Sequence, residues 1–402
     1  MPGPLEGVRI VELGVWVAGP AAGGILADWG ADVIKIEPLA GDPARTFQTM
    51  LGGDMPTNPV FELDNRSKRS IALDISDDEG LAIAKELIAQ ADAFVTNVRL
   101  AGLERLGLDH ETLLAEHPRL VYAAITGFGL EGPDKDRAAY DIAAFWARSG
   151  IAHMLTPPGN DPPFQRGGMG DHNAGMAAAA AVSAALYSRE RTGRGQLCST
   201  SLFRTGIYTI SFDLSVTVGW GLTLGVGSRK TMHNPTTNNY VTGDNKRFWV
   251  VGLETDRHWP PLARAAGRPE WISDERFATA ADRARNGPEL IGELDKIFVT
   301  KTLDEWADIF ATESDFFWAP VQSPDDLLAD PQFYAAGALV EVPDESATAS
   351  MIATPVDFGG TPWAPRGLAP KLGEHTVEIL DSLGRLDDAE SLAARGVVGI
   401  PA

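Results

Sequence analysis

Along the first 130 residues, short apolar runs alternate with longer stretches of helical spacing. GVRIVEL has the β-branched content of a buried strand, AGPAAGGILADWG follows with small residues at helical intervals, and ADVIKIEP ends a second strand on a proline. That is a βαβ unit. RSIALDI reads as a strand, DDEGLAIAKELIAQA as an amphipathic helix with acids in its first turn, and DAFVTNV and LVYAAITGFG as further strands. This alternation predicts an α/β fold: a mostly parallel, doubly wound sheet of Rossmann-like type, with ligands at the carboxyl ends of its strands. GVWVAGP, VTNVR and TGFGLEGP each follow a strand, so they are the candidate site loops.

After GDHNAG an alanine-rich run predicts one long helix, and beyond it the texture changes. From about Val216 to Thr236 glycine and polar turn formers dominate and no firm period survives, as in a crossover between domains. NNYVTGDNKRFWVVGL then predicts a hairpin turning at Gly243-Asp244-Asn245, followed by helices containing HWPPLARAAG and LDEWADIFA. The predicted organisation is a large domain over 1–215, a crossover over 216–236, a smaller α/β domain over 237–325, and a segment over 326–402 that returns to the large domain. The proline-rich part of that last segment is expected to wrap a surface rather than build a core.

Charge and composition narrow the function. The 402 residues hold 55 acidic and 34 basic side chains, a net charge of −21, so the average field repels polyanions and nucleic acid is not an expected partner. A small anionic ligand needs local basic groups or helix N-termini instead. No stretch reaches the length of a membrane span. The single cysteine, Cys198, forms no disulfide within the chain and fits a cytoplasmic location. His110, His117, His153, His172, His233, His258 and His375 form no HxxxH or HExxH pair, and no metal is assigned.

The candidate chemistry centres on Asp171. Aspartate just before a helix is an ordinary N-cap, yet Gly167, Gly168, Gly170 and Gly175 strip bulk from its surroundings and leave the first turn open to another molecule. A carboxylate can attack an activated acyl carbon without a Ser/His/Asp triad. With helix N–H groups nearby, Asp171 is expected to be charged at neutral pH. Arg66, Lys68 and Arg69, taken as a run, read as a solvated basic surface, and Glu37, at the end of the second strand, opens a dinucleotide reading that the glycine pattern GVWVAGPAAGG does not support.

LEGVRIVELGVWVAGPAAGGILADWGADVIKIE, NRSKRSIALD, VTNVRLAGLERLGL, TGFGLEGP with AAYD, GDHNAG, RTGRGQ, WAPVQSPDDLLADPQ and LGEHT, in order from about residue 5 to about residue 380, resemble the class III (CaiB/BaiF-type) coenzyme A transferases. The resemblance implies an interlocked homodimer and transfer of CoA from an acyl-CoA to a small carboxylic acid, with CoA as substrate and no tightly bound cofactor. It implies Asp171 as the nucleophile, passing through a mixed anhydride and an aspartyl-CoA thioester. It also implies a CoA site along Val17, Ala18, Leu73, Asn97, Val98, Arg99, Arg105, Arg137 and Tyr140. Val17 stands where some formyl-CoA-type members carry glutamine, which argues against a formyl-CoA substrate. Tyr140 stands where the related racemases place the histidine of an HD motif, which favours transfer over the alternative, racemisation of an acyl-CoA. YDIAAFWARSG is one residue longer than the usual spacing, with Phe145 and Trp146 in place of a smaller pair.

Overall fold

The computed structural model describes residues 3–50, 55, 57–232, 234–344 and 348–401; His233 lies outside them. The chain forms two compact units, the first made of Met1–Met154, Pro163–Leu224 and Tyr334–Ala402, the second of Leu155–Pro162 and Gly225–Phe333.

In the first unit, β1 (Arg9–Leu13), β2 (Asp32–Glu37), β3 (Arg69–Leu73), β4 (Ala93–Thr96), β5 (Val121–Thr126) and β6 (Leu197–Ser201) form a parallel sheet in the order β3-β2-β1-β4-β5-β6. Alternation along each strand builds two cores. Ile10, Val33, Val95 and Ala123 meet α1 (Ala18–Asp28) and the helix Met169–Thr192. Val11, Ile34, Ile71 and Phe94 meet the helices Asp78–Ala89 and Thr376–Ser382. The strand order reverses between β1 and β4, so the loops leaving those two strands part at the carboxyl edge and open a crevice. α1 and the Met169–Thr192 helix approach closely because Gly175 has no side chain: a Cβ there would lie 2.8 Å from that of Ala21.

Three expectations need correction. The C-terminal segment does more than wrap, because Ile379, Leu380, Leu392 and Val398 are buried in the second core and the strand Val398–Gly399 pairs antiparallel with β3. Helix persists into the expected crossover, as Ser211–Trp220, although none of its residues is buried. The third concerns the basic run. Arg66 and Lys68 are buried, not solvated: Arg66 forks onto Asp28 and Lys68 bonds Glu12 at 2.7 Å. Neutralising carboxylates inside the fold remove the need for solvent, which the sequence run alone could not reveal. Arg69, partly exposed, grips Asp32 with two nitrogens.

The second unit holds β7 (Thr237–Val241), β8 (Arg247–Val251) and β9 (Trp318–Pro320) in an antiparallel sheet. The β7–β8 turn falls on Gly243-Asp244-Asn245, with Asn245 in the left-handed region at φ 60°. Helices Thr255–Ala265 and Leu303–Phe310 pack Trp259, Leu262, Trp306 and Phe310 against Tyr240 and Phe248. Among the described residues no helix is long and apolar enough to cross a membrane.

Candidate active site

Asp171 is not the N-cap of its helix. That position belongs to Gly168, at φ 74°, and Asp171 sits in the first turn, partly buried. Gly170 before it is required by packing: a Cβ would stand 2.2 Å from Asp141 Oδ1 and 2.3 Å from Phe145 Cγ. Phe145 reaches that spot from Ile142–Arg148, which winds as a π-helix. A π turn takes in more residues per turn than an α turn, so it has room for the extra residue noted in this segment.

Two further carboxylates stand near the nucleophile candidate. Asp141 is buried, with Oδ2 accepting the Gly170 N–H at 3.0 Å and Oδ1 accepting Gln165 Nε2 at 2.7 Å. Asp64 is buried too and meets His172 Nε2 at 3.1 Å. Burial, then the negative charge of Asp141, push the Asp171 carboxyl up to about 7, against the opposing pull of His172. The expectation of a fully charged carboxylate at neutral pH is therefore corrected. Desolvation and like charge outweigh the helix amides. The hydrogen bond to Asp64 in turn raises the His172 imidazole above its ordinary value.

Facing Asp171 is the loop that leaves β1. Asn97, just after β4, binds Val15 twice, accepting its N–H at 3.0 Å and donating to its carbonyl at 2.8 Å. Trp16 lies in the left-handed region at φ 65°, with its N–H donated to the buried Asp42 at 3.0 Å. Lys35 holds Asp42 and Glu12, each at 2.9 Å, and donates to the Gly14 carbonyl at 3.0 Å. A ring of buried charges thus fixes a strained loop. Beyond the loop, α1 begins at Ala18 with no side-chain cap, leaving amide donors at its end.

A cavity of about 120 Å³ brings Ala18, Asn97, Tyr140 and Asp171 together with Val15, Trp16 and Asp141. The other proposed residues stand elsewhere. Val17 is buried beside this loop, and Leu73 is buried in the second core. Val98 packs partly buried against that core. Arg99 precedes the helix Leu100–Leu106 as its N-cap and Arg105 lies in its last turn, both exposed and without an ion pair among the described residues. Arg137, exposed, lies 3.7 Å from Asp134. Glu37 is committed to Arg45, Ser70 and the Asp42 N–H, so the dinucleotide reading lacks its acid. Sequence reasoning missed Trp16 and Asp64. Trp16 lay inside a quoted site loop, whereas Asp64 carried no signal because its link to His172 spans 108 residues.

A pair of carboxylates in a cavity of mixed polar and apolar lining, at a strand-order reversal, suits attack on an activated acyl carbon. Residues 5–376 match the model of CoA-transferase family III. The (R)-2-hydroxy-4-methylpentanoate CoA-transferase of Clostridioides difficile is 34% identical over 385 residues, covering 94% of this chain and 95% of that protein. The succinate–glutarate CoA-transferase of Agrobacterium fabrum is 31% identical over 399 residues, covering 96% of each chain. A CaiB/BaiF family protein from Brucella suis, of known crystal structure, superposes with a TM-score of 0.82 at 30% identity, covering 95% of this chain and all of that one. The chain belongs to CoA-transferase family III and is a CoA-transferase. The racemase alternative gains no support from these relatives, both named as transferases.

Proposed function

We propose that the chain moves CoA from an acyl-CoA to a free carboxylic acid through covalent intermediates on Asp171. An Asp171 oxygen attacks the thioester carbonyl, the C–S bond breaks, and CoA thiolate leaves a mixed anhydride behind. The thiolate then attacks the Asp171 carbonyl, releasing the donor acid and forming an aspartyl-CoA thioester. The acceptor carboxylate reverses both steps, giving the new acyl-CoA and free Asp171. The observation that carries this reading is Asp171 in the cavity wall with a carboxyl near 7, basic enough to attack and still largely ionisable at neutral pH. The α1 amides, uncapped at the cavity edge, are suited to the developing oxyanion.

The strand order supports a Rossmann-like, doubly wound large domain that binds CoA, and Arg99 and Arg105 supply unpaired positive charge for its phosphates. Leu73 and Val98 contribute backbone there, since their side chains serve the core. Asn97 already spends its amide on Val15. Tyr140 lines the cavity beside Asp171, and Arg137 lies three residues before it in the chain. The enzyme works as a homodimer in the cytoplasm; apolar side chains left open on one helical stretch, Tyr208, Phe212, Val218 and Trp220, support self-association. Asp171→Ala is expected to lower transfer by about 10³-fold or more while circular dichroism stays unchanged. Substantial transfer in that variant would refute the covalent route.

A further inference from the structure

We infer that Glu12 is a positioning residue for the transfer reaction: with one carboxylate oxygen it steadies the loop at Trp16, and with the other the Asp64–His172 pair beside Asp171. The inference rests on Asp171 as the reacting residue. Its own ground lies in the interior of the chain. Glu12 stands in β1 with Oε1 accepting from Lys35 Nζ at 2.9 Å and Oε2 from Lys68 Nζ at 2.7 Å, and none of the three side chains has exposed surface. On one side, Lys35 also holds Asp42 and the Gly14 carbonyl, and Asp42 takes the Trp16 N–H. On the other, Lys68 donates to the Pro20 carbonyl at 2.9 Å and, at 3.0 Å, to Oδ1 of Asn65, the last residue of the helix Pro59–Asn65. Asp64, one residue earlier, meets His172, which follows Asp171 in the chain. The contacts thus run from the strained loop, through Glu12, to the helix end that presents Asp64.

Stability alone does not account for this arrangement. Burial opposes the charge of Glu12, the two lysines outweigh it, and the carboxyl is held below its ordinary value. Well-packed apolar side chains of the same volume would stabilise a core as well or better. α1 also gives up side chains to make room: a Cβ at Gly23 would overlap Glu12 Oε2, and one at Gly24 would lie 2.7 Å from the Asp64 carbonyl oxygen. Asp64 keeps its second oxygen buried with no hydrogen-bond partner among the described residues, so its placement against His172 depends on how the helix end is held. Lys68 holds that end. The contacts of Glu12 are made inside one chain and away from its surface, so a second subunit that helps to line the substrate site leaves them as they are.

The test measures turnover per active site, counted as Asp171 adducts trapped with hydroxylamine, so that inactive protein does not enter the rate. The substrates are the fastest pair among acetyl-, isobutyryl-, succinyl- and phenylpropanoyl-CoA and the corresponding free acids. Glu12→Gln keeps the shape but turns an amide NH₂ against one lysine. Its kcat is expected to fall about 100-fold, with the donor KM within about threefold of wild type. Lys68→Met, which frees only the Asp64 side, is expected to lose about tenfold. The double variant removes both charges together and is expected to be no slower than Glu12→Gln, because residues that act through one contact are not additive. Wild-type turnover in folded Glu12→Gln, a donor KM that rises as far as kcat falls, or losses that multiply in the double variant would overturn the inference. Should Glu12→Gln not fold, Lys68→Met carries the test, with wild-type turnover as the contrary result. An adduct in wild type with unchanged kcat in the variants sinks only the role of Glu12, whereas no adduct in wild type sinks the covalent route and this inference with it.

Discussion

At the scale of single residues, one carboxyl decides the pH dependence. On the proposed covalent route Asp171 must be ionised to attack, and burial together with Asp141 raises it from the ordinary 3.8 to about 7. Activity should therefore rise with pH through a limb centred near 7, not near 4. Charge changes around it should move that limb in opposite directions. Asp141→Asn removes the like charge and keeps the shape, since the Gln165 amide can turn its otherwise unpaired oxygen to the new NH₂. The limb should fall by about one unit or less. His172→Gln removes the opposing positive charge, and the limb should rise by a similar amount. Profiles of kcat/KM against pH read both shifts; a limb that stays in place in both variants would contradict this electrostatic picture.

At the scale of elements, the Met169–Thr192 helix and the π-helix Ile142–Arg148 form one unit around Gly170. A methyl group there collides with Asp141 and Phe145 together. Gly170→Ala should reduce kcat/KM by about 10²-fold, the effect of misplacing a reacting group by about an ångström. Thermal unfolding of the variant should remain cooperative; unchanged activity would mean that the two helices are not coupled as described. The elements themselves were legible. Every strand read in the first 130 residues exists, because β-branched runs broken by helical spacing leave little choice. What pattern could not reveal was partnership. Lys68 and Arg66 look like surface until Glu12 and Asp28, 56 and 38 residues away, appear beside them. The carboxyl at 171 reads as a plain helix-start anion until Asp141 and Asp64 close in from other segments.

At the scale of the molecule, the Asp171 helix and the site loops were readable as motifs, and their meeting at the β1/β4 reversal follows from strand order. The cavity beside Asp171 was not readable, since its wall comes from positions such as Val15, Trp16, Ile125, Tyr140 and Leu202, in four separate segments. The open apolar side chains of the Leu202–Thr209 and Ser211–Trp220 helices belong to this scale as well. Sedimentation should show a dimer at micromolar concentration, and Phe212→Lys with Trp220→Lys should weaken it. An active monomer at all concentrations would contradict that expectation.

The most direct measurement is made on the proposed nucleophile, Asp171. The protein is mixed with an acyl-CoA and no acceptor, quenched with hydroxylamine, digested and analysed by mass spectrometry. A hydroxamate is expected on Asp171 alone, formed only when acyl-CoA is present and absent from Asp171→Ala. An unmodified Asp171 in protein that is still transferring CoA would contradict it.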